Sequence, residues 1–267
     1  MLNALVLVLL FAEGDCLECP YCRVRRPSLQ FAKVKCGSNG SSNAALSVGG
    51  GLSPADPPVN QPVSGELQSC AAKILMSVLY AARMARYDLL RAVGGLASMI
   101  TKWTVECDKK LNHLMCYIDS TLAFRQFGWI GDPSSVLQPY CYTDADFAGC
   151  QETLRSTSGV HIALEGLRSR FPLSGCSKKQ TAVSHSTPEA EIIACAFGLR
   201  TEGIPAMQLW DVLLGRLVDL QCLEDNQAMV RVVETGRNPT MRYIGRTHGV
   251  SIAWLQERFK DKHHLMM

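Results

Sequence analysis

The chain has 267 residues, 47% of them hydrophobic and 19% charged, with a formal net charge of +3. That much apolar material excludes wholesale disorder and allows one large or two small domains. The small positive excess excludes a histone-like or arm-type binder, so any nucleic-acid contact has to come from local patches.

Residues 1–11 are almost all apolar, but a membrane-spanning helix needs about 20 such residues. No Lys or Arg precedes the run and no clear small-x-small cleavage site follows it, so it does not read as a secretory signal. A cytoplasmic or nuclear protein without membrane association is expected. Cys16, Cys19, Cys22 and Cys36 have the spacing C-x2-C-x2-C-x13-C, and four thiolates near this spacing can hold a tetrahedral zinc ion. The segment is short and Arg-rich, which favours unpaired thiols in a poorly ordered head over residues 1–36 instead of a zinc site. The remaining cysteines are scattered singly through apolar stretches and read as small core residues.

Residues 37–66 are rich in Gly, Ser, Pro and Asn without apolar periodicity, the composition of a flexible linker. Residues 67–136 read as a small helical segment. Ile74, Leu75, Val78, Leu79 and Ala82 form one helical stripe, and Leu89, Leu90, Val93, Leu96 and Met99 form another. Leu111, Leu114, Met115 and Ile118 mark a third helix over residues 106–122.

From residue 137 to 260 the texture becomes α/β. Residues 140–144 predict a first strand, 158–164 and 170–174 the next two, with turns at Glu165-Gly166 and at Gly175. A helix is expected over 186–199, a strand over 218–223, and helices over 226–233 and 249–259. Strands followed by alternating helix and strand point to a mixed sheet flanked by helices.

Acidic residues carry the strongest chemical signal. Asp144 closes the first strand and Asp146 lies two residues on, on the same face if the strand continues. Ser186-Thr187-Pro188-Glu189 is an S-x-x-E capping box, which gives Glu189 a structural role and leaves Glu191 without one. A carboxylate on a helix face lined by small residues is costly unless something cationic meets it. Glu224 and Asp225 end the later strand. Three carboxylates at strand ends and a helix start can converge, and oxygen ligands without nearby His favour Mg²⁺ or Mn²⁺. Two such ions about 4 Å apart would suit phosphodiester hydrolysis. Solvated caps are the ordinary alternative for acids in these places.

The residues also carry a family resemblance. Tyr142-Thr143-Asp144-Ala145-Asp146-Phe147-Ala148-Gly149, followed by Arg155-Ser156-Thr157-Ser158-Gly159, resembles the opening of the ribonuclease H domain of copia-type LTR retrotransposon Pol polyproteins. Ser177-Lys178-Lys179-Gln180 and the stretch from Val183 to Glu191 are similar to its S-K-K-Q…V-[SA]-x-S-[ST]-x-E-A-E segment. Asp225-Asn226-Gln227-Ala228 resembles D-N-Q-[SA]-A, and Arg246-Thr247-His248 resembles R-[TS]-K-H. Ala85-Arg86-Tyr87-Asp88-Leu89 is similar to the T-R-P-D-[IL] region trailing the reverse transcriptase.

The resemblance spans about residues 65–260 and implies a ribonuclease H-like domain behind the helical tail of a reverse transcriptase. The implied activity is cleavage of the RNA strand of RNA–DNA hybrids with Mg²⁺ or Mn²⁺, with the remainder of the reverse transcriptase as partner. Carried over position by position, the metal-binding acids are Asp144, Glu191 and Asp225, whereas Asp146, Glu189 and Glu224 are not primary ligands. Arg155, Arg168, Arg170, Lys178 and Lys179 are expected to track phosphates.

There are departures. Phe147 stands where Trp is usual and Ile192 where Tyr is usual. The family's fourth acid, in an A-D-[IVF]-x-T-K tail, has no counterpart before Met267, which implies weakened turnover. Tyr117-Ile118-Asp119-Ser120 lacks the second Asp of a polymerase Y-x-D-D, so no DNA synthesis is expected. The rival expectation is a catalytically inactive retroelement remnant that at most binds nucleic acid.

Overall fold

The structure, a computed structural model, describes residues 63–260 and the strand His264–Met266, all within the unit Pro62–Met267. The head with Cys16, Cys19, Cys22 and Cys36, and the linker up to residue 62, lie outside the described residues.

The helical segment consists of α1 (Gln68–Ala85), α2 (Leu90–Ala97) and α3 (Val105–Ser120), with short 3-10 turns at Tyr87–Leu89 and Ile100–Lys102. Its stripes meet in one cluster, where Ala71, Leu75 and Ala82 of α1 pack with Leu90, Val93 and Leu96 of α2 and Leu111 and Leu114 of α3. α1 stops because Arg86 leaves helical geometry (φ −128°). The Arg86 guanidinium then joins Asp88 at 2.8 Å and the Thr121 hydroxyl at 2.8 Å, tying the start of α2 to the end of α3. The last residues of the stretch read as linker are pinned. The Asp108 carboxylate accepts from the N–H groups of Glu66 (2.7 Å) and Leu67 (3.2 Å) and from Trp103 Nε1 (2.6 Å).

The sheet follows: β1 (Gln138–Asp146), β2 (Thr157–Gly166), β3 (Ser169–Lys179), α4 (Thr187–Gly198), α5 (Ile204–Leu214), β4 (Leu220–Leu223), α6 (Gln227–Thr235), the short α7 (Ile244–Thr247), α8 (Ile252–Lys260) and β5 (His264–Met266). Strand order is β3-β2-β1-β4-β5. β1, β2 and β3 form an antiparallel meander, while β4 runs parallel to β1 and β5 parallel to β4. This order, with α4 packed on β1 and β2, is a ribonuclease H-like mixed sheet.

α4 is buried almost all round, its two carboxylates Glu189 and Glu191 included. Small residues let it lie close. Ala190 and Ala194 meet Ala145 of β1, and a Cβ on Gly198 would stand 2.8 Å from the Thr143 side chain. The core between α4 and the sheet contains Cys141, Val160, Ile162, Ile192, Leu199 and Leu220, joined by Leu255 of α8.

Three expectations change. Gly175 is not a turn, since β3 continues through it to Lys179. The glycine is there because the Tyr87 ring comes so close that a Cβ would sit 2.8 Å from it. The same ring lies 5.6 Å from His161, so Tyr87 docks the helical segment on the sheet. The chain does not end its helix at Leu199 but passes through a π-helical stretch, Leu199–Gly203, into α5. α8 begins at Ile252, because Gly249 takes a left-handed φ of +67° and the Ser251 hydroxyl accepts from Trp254 N–H at 3.2 Å.

Candidate metal centre

The sheet brings the predicted acids together by register. The last pair between parallel strands β1 and β4 is Tyr142 with Leu223. Asp144 lies two residues past it on β1, and Asp225 lies two residues past it just beyond the end of β4, which brings the two acids side by side. Glu191 reaches the same point from α4, whose first turn is fixed by its cap. Ser186 Oγ accepts from Glu189 N–H at 3.4 Å, with Pro188 in the first turn. Gln180 Nε2 holds the Ala190 carbonyl at 2.9 Å.

Carboxylate oxygens of Asp144, Glu191 and Asp225 all lie within 4.8 Å of one another. Asp144 and Asp225 are exposed, whereas Glu191 is 3% exposed. Its Oε2 has no hydrogen-bond partner. Burial, then the charges of Glu224, Asp144 and Asp225, push the Glu191 carboxyl up to about 8. A buried orphan oxygen between two further carboxylates is the donor set of a hard divalent cation, so these residues fit Mg²⁺ or Mn²⁺.

The neighbouring acids divide as follows. Asp146 is drawn away by Arg91 of α2, whose guanidinium donates to the Asp146 carboxylate and to the Thr157 hydroxyl. Glu189 turns to the other side of α4. Its Oε2 accepts from His185 N–H at 3.0 Å and from the Tyr243 hydroxyl at 2.7 Å. The capping interaction therefore reaches one residue further back than the motif predicts. Glu224 stays beside the cluster, accepting from Thr143 Oγ1 and Asn226 N–H at 3.2 Å each, and burial raises its carboxyl to about 7.

The five predicted basic contacts are not brought together. Arg155 precedes β2, and Lys178 and Lys179 pair with Ser158 and Thr157, at the acid end of the sheet. Arg168 sits in the β2–β3 turn, and Arg170 pairs with Glu165 at the far end. Glu165 is six residues from Gly159, the partner of Asp144, or about 20 Å at the usual rise per residue. Arg170 is an ion-pair partner of Glu165 (3.4 Å) and lies over Tyr142. Lys179 donates to Cys150 Sγ at 3.1 Å, and Lys178 lies 4.9 Å from the centre of the Phe197 ring. Arg91 and Tyr243 were not visible as site neighbours in the sequence. Arg91 occupies the polar face of a helix assigned to another segment, and Tyr243 lies in a stretch without periodicity.

No protein-family model matches the chain. The secreted RxLR effector protein 161 of Plasmopara viticola is 31% identical to it over 122 residues, which make up 44% of this chain and 78% of that protein. The chain belongs to the family of that effector protein. Among solved structures, LC11-RNase H1, isolated from compost by a metagenomic approach, is 15% identical with a TM-score of 0.32, covering 49% of this chain and 82% of that one. Among the described residues, no helix is long and apolar enough to cross a membrane.

Proposed function

We propose that the chain hydrolyses the RNA strand of RNA–DNA hybrids, and that it derives from a copia-type Pol polyprotein in which residues 67–136 are the helical tail of a reverse transcriptase. The observation that carries the reading is the meeting of Asp144, Glu191 and Asp225 within 4.8 Å, with Glu191 buried and its Oε2 unpartnered.

Asp144 and Asp225 present exposed oxygens from which a phosphodiester can be approached, and Glu191 closes the cluster from beneath. Divalent cations bound there would activate the attacking water and neutralise the departing 3′ oxygen. Thr143 and Asn226 hold Glu224 beside the ligands, where its charge favours a cation over a bare cluster. Arg155, Lys178 and Lys179, at this end of the sheet, would meet the phosphates.

The test is a hybrid-cleavage assay on the purified chain with Mg²⁺ and with EDTA, run beside Asp144→Asn. Cleavage that needs the metal and is lost in the variant supports the reading, and unchanged cleavage by Asp144→Asn removes it. Similarity to a secreted effector protein favours a second reading, in which the domain is a catalytically silent nucleic-acid binder acting as an effector. Hybrid binding without metal-dependent cleavage would be its signature.

A further inference from the structure

Glu189 is the other acid in the first turn of α4, and it is 0% exposed. A carboxylate buried that deeply is tolerated only with good partners. Three groups from outside the helix surround it. The Tyr243 hydroxyl donates to Oε2 at 2.7 Å, the His185 N–H donates to the same oxygen at 3.0 Å, and Nε2 of His248 faces Oε1 at 3.6 Å. His248 is itself buried, its side chain 1% exposed, and the His185 ring packs edge-on against Tyr243 with centroids 5.4 Å apart. Tyr243 and His248 come from the segment after α6, remote in sequence from α4 and from the acid cluster.

We propose that Glu189, Tyr243 and His248 are positioning residues for the metal centre, a role that rests on the reading of Asp144, Glu191 and Asp225 as metal ligands. Glu189 and Glu191 stand two residues apart on one turn and project to different sides. The Tyr243 hydroxyl holds the side away from the cluster, His248 fills the space behind Oε1 without hydrogen-bonding to it, and Gln180 holds the Ala190 carbonyl between the two acids. A cation needs its oxygens placed to within a few tenths of an ångström, and groups behind the ligands set that placement. Ser186 caps the helix along its axis. The Glu189 cluster fixes its rotation and lateral position, and thereby where the Glu191 carboxylate lies relative to Asp144 and Asp225.

The test is Mn²⁺ binding to the full chain, measured by electron paramagnetic resonance and calorimetry, with folding followed by circular dichroism. Glu191→Gln should lose binding. Tyr243→Phe, which removes one hydroxyl and keeps the ring against His185, should weaken Mn²⁺ binding about tenfold, the usual size of an effect from behind the ligands. Glu189→Gln and His248→Gln should do the same, so the measurement does not depend on one variant folding. If these variants melt earlier yet keep the wild-type Mn²⁺ dissociation constant, the cluster is merely structural and the proposal falls. If the wild-type chain takes up no Mn²⁺, the metal-ligand reading fails first and the positioning role goes with it.

Discussion

The two ends of the same sheet treat negative charge in opposite ways. At the hairpin end, Glu165 accepts from the Tyr142 hydroxyl at 2.9 Å and pairs with Arg170, while Asp132 accepts from Arg168 N–H and the Ser169 hydroxyl at 2.6 and 2.7 Å. At the acid end, none of Asp144, Glu191, Glu224 or Asp225 pairs with a Lys, Arg or His among the described residues. Asp146, at this same end, is answered by Arg91, but the four carboxylates around the candidate site have no cationic side chain as partner among the described residues. Leaving these unanswered sets like charges against each other, an arrangement that a cation relieves.

The largest effect expected from breaking this contrast is on chemistry. Asp144→Asn should lower Mg²⁺-dependent hybrid cleavage about a thousandfold, since a metal site supplies several kcal/mol of transition-state stabilisation. Single-turnover cleavage of a labelled hybrid measures it, and a loss below tenfold would contradict the assignment.

The next effect is on pH dependence. Glu191 and Glu224 stand at about 8 and about 7 in the metal-free chain, against an ordinary value of 4.5. Each folded carboxyl keeps a proton that the unfolded chain has released, so its contribution is full below pH 4.5 and lost as pH rises through 7 to 8. The thermal midpoint without metal should fall across that window, and excess Mg²⁺ should flatten the fall. A metal-free midpoint that rises over the same range would contradict the crowding.

Charge removal should also have opposite signs at the two ends. Without metal at neutral pH, Glu191→Gln should stabilise the chain, whereas Glu165→Gln should cost about 1 kcal/mol for its weakened partners. Denaturant titration of both variants decides it, and equal signs would dissolve the comparison. The smallest effect concerns phosphate contacts. Lys178→Ala should weaken hybrid binding and flatten its salt dependence by about one phosphate contact. Arg168→Ala, about 20 Å along the strands by their rise, should change neither, and an equal loss in both variants would refute the partition.

What the sequence disclosed followed from period and local chemistry. The stripes of α1 and α2 named the buried Leu75, Leu90 and Val93, and the aromatic and β-branched residues before Asp144 located β1. The capping box placed the start of α4 at Thr187 and freed Glu191 for another task. The family's motifs named the three acids that now lie together. Long-range contacts were what stayed hidden. Gly175 carries the mark of a turn, and only the Tyr87 ring arriving from another segment explains it as strand. α5 was invisible because apolar residues such as Ile204, Met207, Leu209, Val212 and Leu214 fall on every side of it, leaving no polar face to define a stripe. The basic residues looked alike in the sequence, and only the register of β2 on β3 separates Lys178 from Arg170 by the length of a hairpin.

Among the described residues β3 is an outer strand, with β2 on one side and only the isolated bridge from Trp129 to Arg170 on the other, and α1 and α2 lie against it. Severing the polypeptide near residue 130 would therefore do more than discard a leader. It would bare the shelf at Gly175 where Tyr87 rests and remove the Trp129 bridge from the outer edge, and an uncovered edge recruits strands from other molecules. A recombinant fragment beginning at β1 is expected to self-associate, and solubility is better sought by retaining everything from residue 63 onward.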